Sequence, residues 1–426
     1  MSKSDVIVIG GGAAGIMAAY RAGQLGARVT ILEKTSRLGT KILISGGGKC
    51  NVAHDGPLEE VLRAFRKNET QFIRPACYRL TNRQIVSMMT ERGLNVYTRP
   101  DGRVFPLDQT AKDVLAILVG YLEESGVEVR LDSPVVGIEA VDGRVTGVYT
   151  GEPPEAHSGY RMRNAERKQF WPADRVILAT GGSSYPNCGT TGDGWDWARD
   201  LGHSIVPVRA SLAPIYLNLE PSRVEFSGVA LRDVVVRARQ GGKEIARWRG
   251  DLLFTHQGVS GPTALGISRV VAEFLPGGDV SLEADILPDL KHEEVLARLQ
   301  SVSPRSRVLP VVAEHMAERL AAALVSDIGV EPDRTFAQLD RKSRNRLGEA
   351  LKGWKLGVVR TVPLEKGECV AGGIALDEVD PQTLESRKVG GLFICGEVLD
   401  IAGPVGGYNL QAAFATGYVA GESAAR

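Results

Sequence analysis

A glycine-rich stretch near the start of the chain constrains the fold more than any other feature. The apolar run 6–9 leads into three glycines with the spacing G-x-G-x-x-G, namely Gly10, Gly12 and Gly15. A helix-length run of small and apolar residues follows over 13–25, and a second strand-like run, 28–32, ends at Glu33. Strand, glycine-rich turn, helix and strand in this order predict the βαβ unit that binds a dinucleotide.

Each part of this unit has a physical role. Gly10 allows the tight turn, Gly12 lets the backbone approach a pyrophosphate, and Gly15 lets the helix pack close to the strand. The first N–H groups of the helix and its partial positive charge attract phosphate. Glu33 can accept hydrogen bonds from both hydroxyls of an adenosine ribose and would repel a 2′-phosphate. The site therefore favours FAD or NAD over NADP.

A second glycine-rich segment, SGGGKCN, occupies residues 45–51. Three successive glycines let the backbone pass close to a flat ligand and offer N–H donors to it. A P-loop is the obvious rival. It fails because Leu43 stands where its first glycine should be, and Cys50 stands where Ser or Thr should bind magnesium. The remaining alternative is a flexible surface loop.

Two later runs, 175–182 and 391–397, are typical of buried parallel strands. The first ends at Gly181 and Gly182, and the second ends at Gly396 and Glu397. Since the carboxyl ends of parallel strands meet at one edge of a sheet, both should lie beside a cofactor. Asp400 could bind a ribityl chain. Asp193 opens a helix, and N-capping is the commoner role for such an Asp. Val136, at the start of a strand, is the candidate for a backbone amide against adenine.

The segment 406–421 predicts a helix of small residues that begins just after two glycines. Its positive end would face whatever ligand lies across the carboxyl edge of the sheet. If that ligand is a flavin, the target is the N1–C2 carbonyl region, which gains negative charge on reduction. Residues 151–172 carry Pro153-Pro154 and scattered charges, which predicts a surface excursion.

The pattern of apolar residues changes after residue 207. Residues 208–288 form short runs of strand length. In 289–352 the apolar residues recur with the period of helices, and many arginines lie on the expected solvent-facing side. We therefore expect an α/β fold in which a β-barrel insert with a helical subdomain interrupts a dinucleotide-binding domain. The expected boundaries are 1–207 for the first piece, 208–366 for the insert and 367–426 for the second piece.

Composition excludes several classes of protein. Lys plus Arg and Asp plus Glu each number 51, so net charge gives no case for nucleic acid or an acidic membrane. Five scattered cysteines without C-x-x-C form neither a disulfide framework nor a dithiol centre. No signal peptide, membrane span or metal-ligand cluster is evident, and a reducing cytoplasm is expected.

With these pieces assembled, the chain resembles the bacterial aminoacetone oxidase-type FAD-binding flavoproteins, a family that also includes reductases of dehydro-bile acids. The resemblance spans nearly the whole chain. It is carried by VIGGGAAG, SGGGKCN, ATGG followed by YPNCGTTGDG, FTHQGVSGP and GEVLDIAGPVGGYNLQAAFATG. It implies a two-piece FAD-binding Rossmann-like domain of the glutathione-reductase type, interrupted by a barrel-plus-helices insert.

Residue patterns and resemblance together give one set of expected contacts to noncovalent FAD. Its members are Gly10, Gly12, Ala13, Ala14, Gly15, Glu33, Lys34, Lys41, Ser45, Gly46, Gly47, Gly48, Cys50, Asn51, Val136, Thr180, Gly181, Gly182, Asp193, Gly396, Glu397, Asp400, Gly407, Asn409 and Leu410. The chain departs from the family pattern at Lys49, where Arg is more usual. Val52-Ala53 also replaces a hydrophobic-Thr pair, which removes a hydroxyl near the expected flavin.

The sequence predicts an FAD-dependent oxidoreductase that acts on a small organic substrate. No second G-x-G-x-x-G followed by an acidic residue occurs, so NAD(P)H should visit the open flavin face as a transient reductant. The substrate site is expected between the flavin and the insert, lined by Cys50, Asn51, His256 and Tyr408. Reduction of an enone needs a proton donor, for which His256 and Tyr408 are the candidates. An amine oxidase using oxygen remains an alternative.

Two other classes stay open. A flavin-containing RNA-modifying protein is disfavoured by the neutral charge, and 58–103 reads as a helical solvated face rather than a nucleic-acid patch. A flavin-bound sensor or partner-binding protein would use the insert as an interaction module. A fumarate-reductase-like enzyme is suggested by TGDG, but no Arg/His set marks a dicarboxylate pocket. The oligomeric state is not predicted.

Overall fold

The computed structural model describes residues 4–152 and 166–426. Its strands are β1 (Ser4–Ile9), β2 (Val29–Leu32), β3 (Ala53–His54), β4 (Val96–Thr98), β5 (Arg103–Pro106), β6 (Glu128–Arg130), β7 (Val135–Val141), β8 (Arg144–Glu152), β9 (Glu166–Leu178), β10 (Ile205–Ser211), β11 (Ile215–Asn218), β12 (Ala230–Gln240), β13 (Lys243–Thr255), β14 (Gly258–Ser260), β15 (Val280–Asp285), β16 (Trp354–Thr361), β17 (Cys369–Ile374) and β18 (Leu392–Ile394).

Helices connect these strands. They are α1 (Ala13–Gln24), α2 (Thr40–Ile44), α3 (Leu58–Arg63), α4 (Lys67–Arg79), α5 (Asn82–Thr90), α6 (Ala111–Glu124), α7 (Asp193–Asp200), α8 (Pro221–Val224), α9 (Pro262–Phe274), α10 (His292–Ser301), α11 (Val308–Ala313), α12 (Glu318–Asp327), α13 (Arg341–Lys352) and α14 (Tyr408–Ala424). The chain divides into two compact units, Met1–Val208 with Glu368–Arg426, and Arg209–Gly367.

The first unit is built on a parallel sheet with strand order β6-β2-β1-β9, to which β18 adds beyond β9. Ile9 pairs with Leu32 on one side and Leu178 on the other, and Leu178 pairs with Ile394. Because these four residues end their strands in the same register, the segments that follow them meet at one edge of the sheet. That is the edge at which ligands of open α/β sheets bind.

β9 belongs to two kinds of sheet at once. Its second half is parallel to β1 and β18, and its first half pairs antiparallel with β8, which continues to β7. The expected surface excursion over 151–172 is therefore wrong at both ends, since 151–152 belong to β8 and 166–172 to β9. Residues 153–165 lie outside the described residues.

Two helices of the first unit approach each other unusually closely. A Cβ placed at Gly417 of α14 would lie 2.2 Å from the Ala14 carbonyl oxygen of α1, and one at Gly421 would lie 2.1 Å from that of Ala18. Only glycine fits at either position. The small-residue character of both helices in the sequence follows from this contact.

The second unit contains a closed barrel with strand order β11-β14-β13-β12-β15-β16. Helices α10 to α13 all lie in the connection between β15 and β16, and their apolar faces join the barrel strands in one buried core. Asp285, 2% exposed at the end of β15, forms ion pairs of 2.8 Å with both Arg237 and Lys352. The expected α/β fold with a barrel insert and a helical subdomain is confirmed.

Two local expectations are wrong. The strand-like reading of 208–288 missed α9, a 13-residue helix that begins with Pro262 at its first turn. The helical reading of 58–103 fails after residue 90, where the hairpin of β4 and β5 begins. Within the described residues, no helix combines the length and apolar character needed to cross a membrane.

Candidate functional site

The turn between β1 and α1 leaves room for a ligand at the edge of the sheet. Gly10 has a φ of +98°, and a Cβ there would lie 2.7 Å from the Ala179 carbonyl oxygen. A Cβ at Gly12 would meet no described heavy atom within 4 Å. Gly12 is the N-cap of α1 and makes no side-chain cap hydrogen bond. The first N–H groups of α1, including those of Ala13 and Ala14, therefore have no side-chain cap.

The Glu33 carboxylate is held at the end of β2 by three hydrogen bonds. Oε2 accepts from the Gly11 N–H at 2.7 Å, and Oε1 accepts from the N–H and hydroxyl of Thr35, each at 2.8 Å. The backbone of Ser133 donates to the Glu33 carbonyl at 2.9 Å, which brings the segment before β7 alongside. Val136 lies near the start of that strand, where it is buried.

Lys34 and Asp193 are paired with each other. Lys34 Nζ lies 2.6 Å from Asp193 Oδ2, and the Thr191 hydroxyl donates to Oδ1 of the same carboxylate at 2.8 Å. The N-cap of α7 is Gly192, so the capping role considered for Asp193 is wrong. Its buried carboxylate instead fixes the loop before α7 to the end of β2.

A second ion pair and its hydrogen bonds link four segments at the same edge. Lys41 Nζ donates to Glu397 Oε2 and to Ser184 Oγ, both at 2.8 Å, and Glu397 Oε1 accepts from the Val370 N–H at 2.9 Å. A Cβ at Gly182 would lie 2.6 Å from Val370 Cγ2 and 3.1 Å from Glu397 Oε1, so a larger residue would be crowded there.

Two side-chain hydroxyls at this edge have no partner. The buried hydroxyl oxygens of Thr180 and Ser183 make no hydrogen bond to any described residue. Gly181, between them, has a φ of +72°, and Gly396 after β18 has a φ of +77°. Buried polar groups are normally paired, so these two hydroxyls are candidates for hydrogen bonds to a bound ligand.

The SGGGKCN segment forms a short turn after α2 rather than an irregular loop. Gly46 and Gly47 have φ values of +56° and +68°, Gly48 has +87°, and the Ser45 hydroxyl donates to the Ile42 carbonyl at 2.7 Å. Cys50 is buried, and this burial raises the pKa of its thiol to about 11. The thiol is therefore uncharged near neutrality and is a poor nucleophile.

The residues after this turn meet the start of α14. Asn51 accepts a hydrogen bond from the Gly407 N–H at 2.9 Å and donates to the carbonyls of Ala53 and Val104, both at 3.1 Å. His54 Nε2 lies 3.1 Å from the Tyr408 hydroxyl oxygen, and the two rings stack with centroids 4.4 Å apart. Asn51 and Tyr408 are predicted from the sequence as site residues, whereas His54 is not.

The loop that leads into α14 is braced from within. Asn409 Oδ1 accepts from the Gly403 N–H at 2.8 Å, and its Nδ2 donates to the Gly403 carbonyl at 3.0 Å. Asp400 Oδ1 accepts from the Gly372 N–H at 2.9 Å. Gly407 is the N-cap with a φ of +90° and no side-chain cap, so α14 begins with uncapped N–H groups. Leu410 is half-buried in its first turn.

His256 belongs to the other compact unit. It is exposed at the tip of the hairpin between β13 and β14, where its Nε2 lies 3.3 Å from Gln257 Nε2. This exposed position and the contact with Gln257 give no indication that His256 is a catalytic acid. Among residues 4–152 and 166–426, no group of three or more His, Cys, Asp or Glu is placed to hold a metal ion.

Comparisons with known proteins identify the family of the chain. The family described as HI0933-like protein Rossmann domain matches residues 4–423. A ribosomal RNA dihydrouridine synthase of Escherichia coli is 31% identical over 425 residues, which cover 98% of this chain and 97% of that protein. A 3-dehydro-bile acid delta(4,6)-reductase of Clostridium scindens is 30% identical over 428 residues, 98% of each chain.

Among solved structures, a 3-ketosteroid-delta4-(5alpha)-dehydrogenase from Rhodococcus jostii RHA1 aligns with a TM-score of 0.51. The alignment covers 100% of this chain and 97% of that one at 17% identity, so the likeness concerns the fold. The family match and the relatives extend over almost the entire sequence. The chain therefore belongs to the HI0933-like family, whose Rossmann-type domain binds FAD, and it is an FAD-dependent oxidoreductase.

Proposed function

We propose that this protein uses NAD(P)H to reduce a carbon–carbon double bond that is conjugated to a carbonyl group. The observation that carries the proposal is that two relatives aligned over 98% of the chain share this bond type despite different named substrates. The 5,6-double bond of uridine is conjugated to the C4 carbonyl, and 4,6-double bonds in a steroid are conjugated to its 3-ketone. One site chemistry serves both acceptors.

The edge of the parallel sheet fits FAD on three structural observations. Open space surrounds Gly12, the hydroxyls of Thr180 and Ser183 are buried without partners, and both α1 and α14 begin uncapped. When bound, FAD supplies a two-electron carrier that accepts a hydride from one substrate and delivers it to another. Attachment is noncovalent in this proposal, which the protonated thiol of Cys50 supports.

The residues of the chain would bind and orient the group. The N–H groups of α1 would hold the pyrophosphate, and Glu33, already fixed by Gly11 and Thr35, would accept from the ribose hydroxyls. The Gly-rich backbone over 45–48 and the start of α14 would face the ring system. Lys41 and Glu397, paired with each other, would keep the surrounding backbone in place.

The nature of the acceptor is the finer part of the proposal. A small enone such as a steroid dienone suits a chain with a formal net charge of zero. A uridine in RNA is the second candidate, and the specific observation in its favour is the 31% identity to the Escherichia coli rRNA enzyme over 98% of the chain. Neutral net charge speaks against it, because most RNA-binding proteins carry a basic surface.

An anaerobic titration tests the reductant and the acceptor in turn. Purified protein is mixed with NADH or NADPH while the visible flavin band is followed, and the bleached protein is then mixed with a 4,6-dien-3-one steroid or a uridine-containing RNA. Bleaching followed by recovery of the band with one acceptor supports the proposal. A flavin that both nicotinamides leave oxidised, but that an amine bleaches, would replace the proposal with an amine oxidase.

The variant Gly12→Asp links the chemistry to the expected pyrophosphate position. The structure has room for this side chain without the ligand, since a Cβ at Gly12 meets nothing within 4 Å. A carboxylate placed there would repel a pyrophosphate, so we expect a colourless, folded protein with no activity. The matched control Gly120→Ala, in α6, should stay yellow, because its Cβ would only reach Arg92 Nη1 at 3.4 Å. A yellow Gly12→Asp protein would contradict the placement.

A further inference from the structure

The contacts of His54 determine which ring nitrogen carries the hydrogen. Its Nδ1 lies 3.0 Å from the Gly406 carbonyl oxygen, and a carbonyl can only accept. Nδ1 therefore carries the hydrogen in the neutral ring. The bare Nε2 then accepts the hydrogen of the Tyr408 hydroxyl, whose oxygen lies 3.1 Å away.

Packing holds this pair in place. The rings of His54 and Tyr408 lie 4.4 Å apart with an interplanar angle of 21°, and the edge of Phe65 meets Tyr408 at 6.0 Å and 87°. Gly102, with a φ of +80°, packs so tightly that a Cβ there would lie 2.5 Å from His54 Nε2. Neither ring has room to turn without displacing a neighbour.

The surroundings keep the phenol of Tyr408 protonated. Burial raises the pKa of Tyr408, and the negative charge of Asp101 raises it further. Hydrogen bonding to Arg103 holds the pKa of Asp101 below its usual range, so Asp101 is charged at neutral pH. A half-buried phenol at the first residue of α14, beside a histidine, has the features of a proton donor.

We propose that Tyr408 donates the proton that completes reduction of the acceptor. His54 is the positioning residue: it orients the Tyr408 hydroxyl and returns a proton to the Tyr408 phenolate. The role rests on the proposed function, because an oxidase would need no such donor. Sequence patterns offered His256 and Tyr408 as equal candidates, and the structure favours Tyr408 and supplies its partner.

The step balances in atoms and charge. The acceptor carbon β to the carbonyl gains a hydride, and the α carbon takes the phenolic proton of Tyr408, so the double bond becomes CH–CH. When His54 is protonated, its Nε2–H donates to the Tyr408 oxygen while Nδ1–H stays on Gly406, which leaves the phenolic hydrogen free for the acceptor. The Tyr408 phenolate then takes the Nε2 proton, and half-buried His54 regains one from solvent.

The kinetic test separates the two half-reactions. In Tyr408→Phe, bleaching of the flavin by NAD(P)H should be unchanged, while reoxidation by the acceptor should slow by about 10²–10⁴-fold. In His54→Gln, which removes the ring nitrogen that faces the Tyr408 hydroxyl, reoxidation should also slow, but by less than in Tyr408→Phe, while bleaching stays unchanged. Tyr97→Phe is the matched control. Tyr97 lies on β4, which joins β5 and β3, the strand of His54, in a three-stranded sheet, and its ring stacks on Phe105 with centroids 6.2 Å apart. Equal reoxidation by Tyr408→Phe and wild type would overturn the proposal.

Two further experiments require neither a nicotinamide nor turnover, respectively. The flavin is photoreduced before the acceptor is added, and a wild type that then reduces no acceptor would refute the proposed function itself. Independently, the ¹⁵N spectrum of histidine-labelled protein, with His54 assigned from His54→Gln, should show the neutral ring protonated at Nδ1. Tyr408→Phe should shift its Nε2 signal. A ring protonated at Nε2 would refute the pairing, whatever the kinetics.

Discussion

The contact between α1 and α14 makes a sharp prediction about Gly417→Ala. Ordinary van der Waals contact begins near 3.4 Å, so a methyl group 2.2 Å from the Ala14 carbonyl oxygen requires the helices to separate by about 1.2 Å. The obstacle is backbone, which cannot rotate away as a side chain can. Overpacking of this kind costs about 1–3 kcal/mol of the free energy of unfolding.

The same geometry predicts how two substitutions combine. Gly421→Ala alone places a methyl 2.1 Å from the Ala18 carbonyl oxygen and requires nearly the same separation, about 1.3 Å. Because one displacement of α14 relieves both collisions, Gly417→Ala with Gly421→Ala should cost close to one substitution rather than the sum of two. A double-mutant cycle would therefore give a favourable coupling of about 1–3 kcal/mol.

Calorimetry at fixed protein and FAD concentration, with released flavin fluorescence as a second signal, measures the effect. Each single variant should lower the melting temperature of the dinucleotide unit by roughly 2–12 °C. Gly120→Ala is the control, since it adds the same methyl to α6, where the contact is with the flexible end of Arg92 at 3.4 Å, and it should be neutral or slightly stabilising. Wild-type stability in Gly417→Ala, or full additivity in the double variant, would refute the reasoning.

Further predictions follow from buried charges elsewhere. Asp285→Asn should destabilise the barrel unit by about 3–5 kcal/mol in urea titrations, because Arg237 and Lys352 would lose their shared buried partner; an unchanged midpoint would contradict this. Burial lowers the pKa of His203 from its ordinary 6.5, while hydrogen bonds to Ser204 help hold that of Glu378 at about 2. The unfolded chain therefore binds more protons, so melting temperature should fall as pH drops below about 6.5 through His203, and again below about 4.5 through Glu378. The first decline should flatten in a His203→Gln variant.

The elements that sequence reasoning placed well are local. The βαβ unit lies within 30 residues, and its glycine spacing, its helix length and Glu33 are all legible in one window. The strand before Gly181 and the helix that begins at Tyr408 are marked in the same way by adjacent glycines. In each case the neighbours along the chain determine the conformation, so no distant contact needs to be known.

Features that depend on distant contacts were missed or misread. His54 is a single histidine on a two-residue strand, and its partner Tyr408 is 354 residues away. Helix α9 reads as strand because it is rich in apolar residues, and its helical form is fixed by packing in which Gly266 lies against Trp248. The pairing of Lys34 with Asp193 spans 159 residues, so the local helix-start pattern suggested a cap instead. The expected contacts to FAD remain predictions.

The division of the first unit between two separated pieces has a consequence for synthesis. A ribosome finishes Met1–Val208 well before it reaches Glu368–Arg426, which supplies both β18 and α14. At about 5–20 residues per second, the remaining half of the chain takes roughly 10–45 s to appear. During that interval β9 has an open edge and the small-residue face of α1 is uncovered. A nascent chain of this protein should therefore be a chaperone client until its last helix emerges, whereas the barrel unit can close as soon as β16 is made.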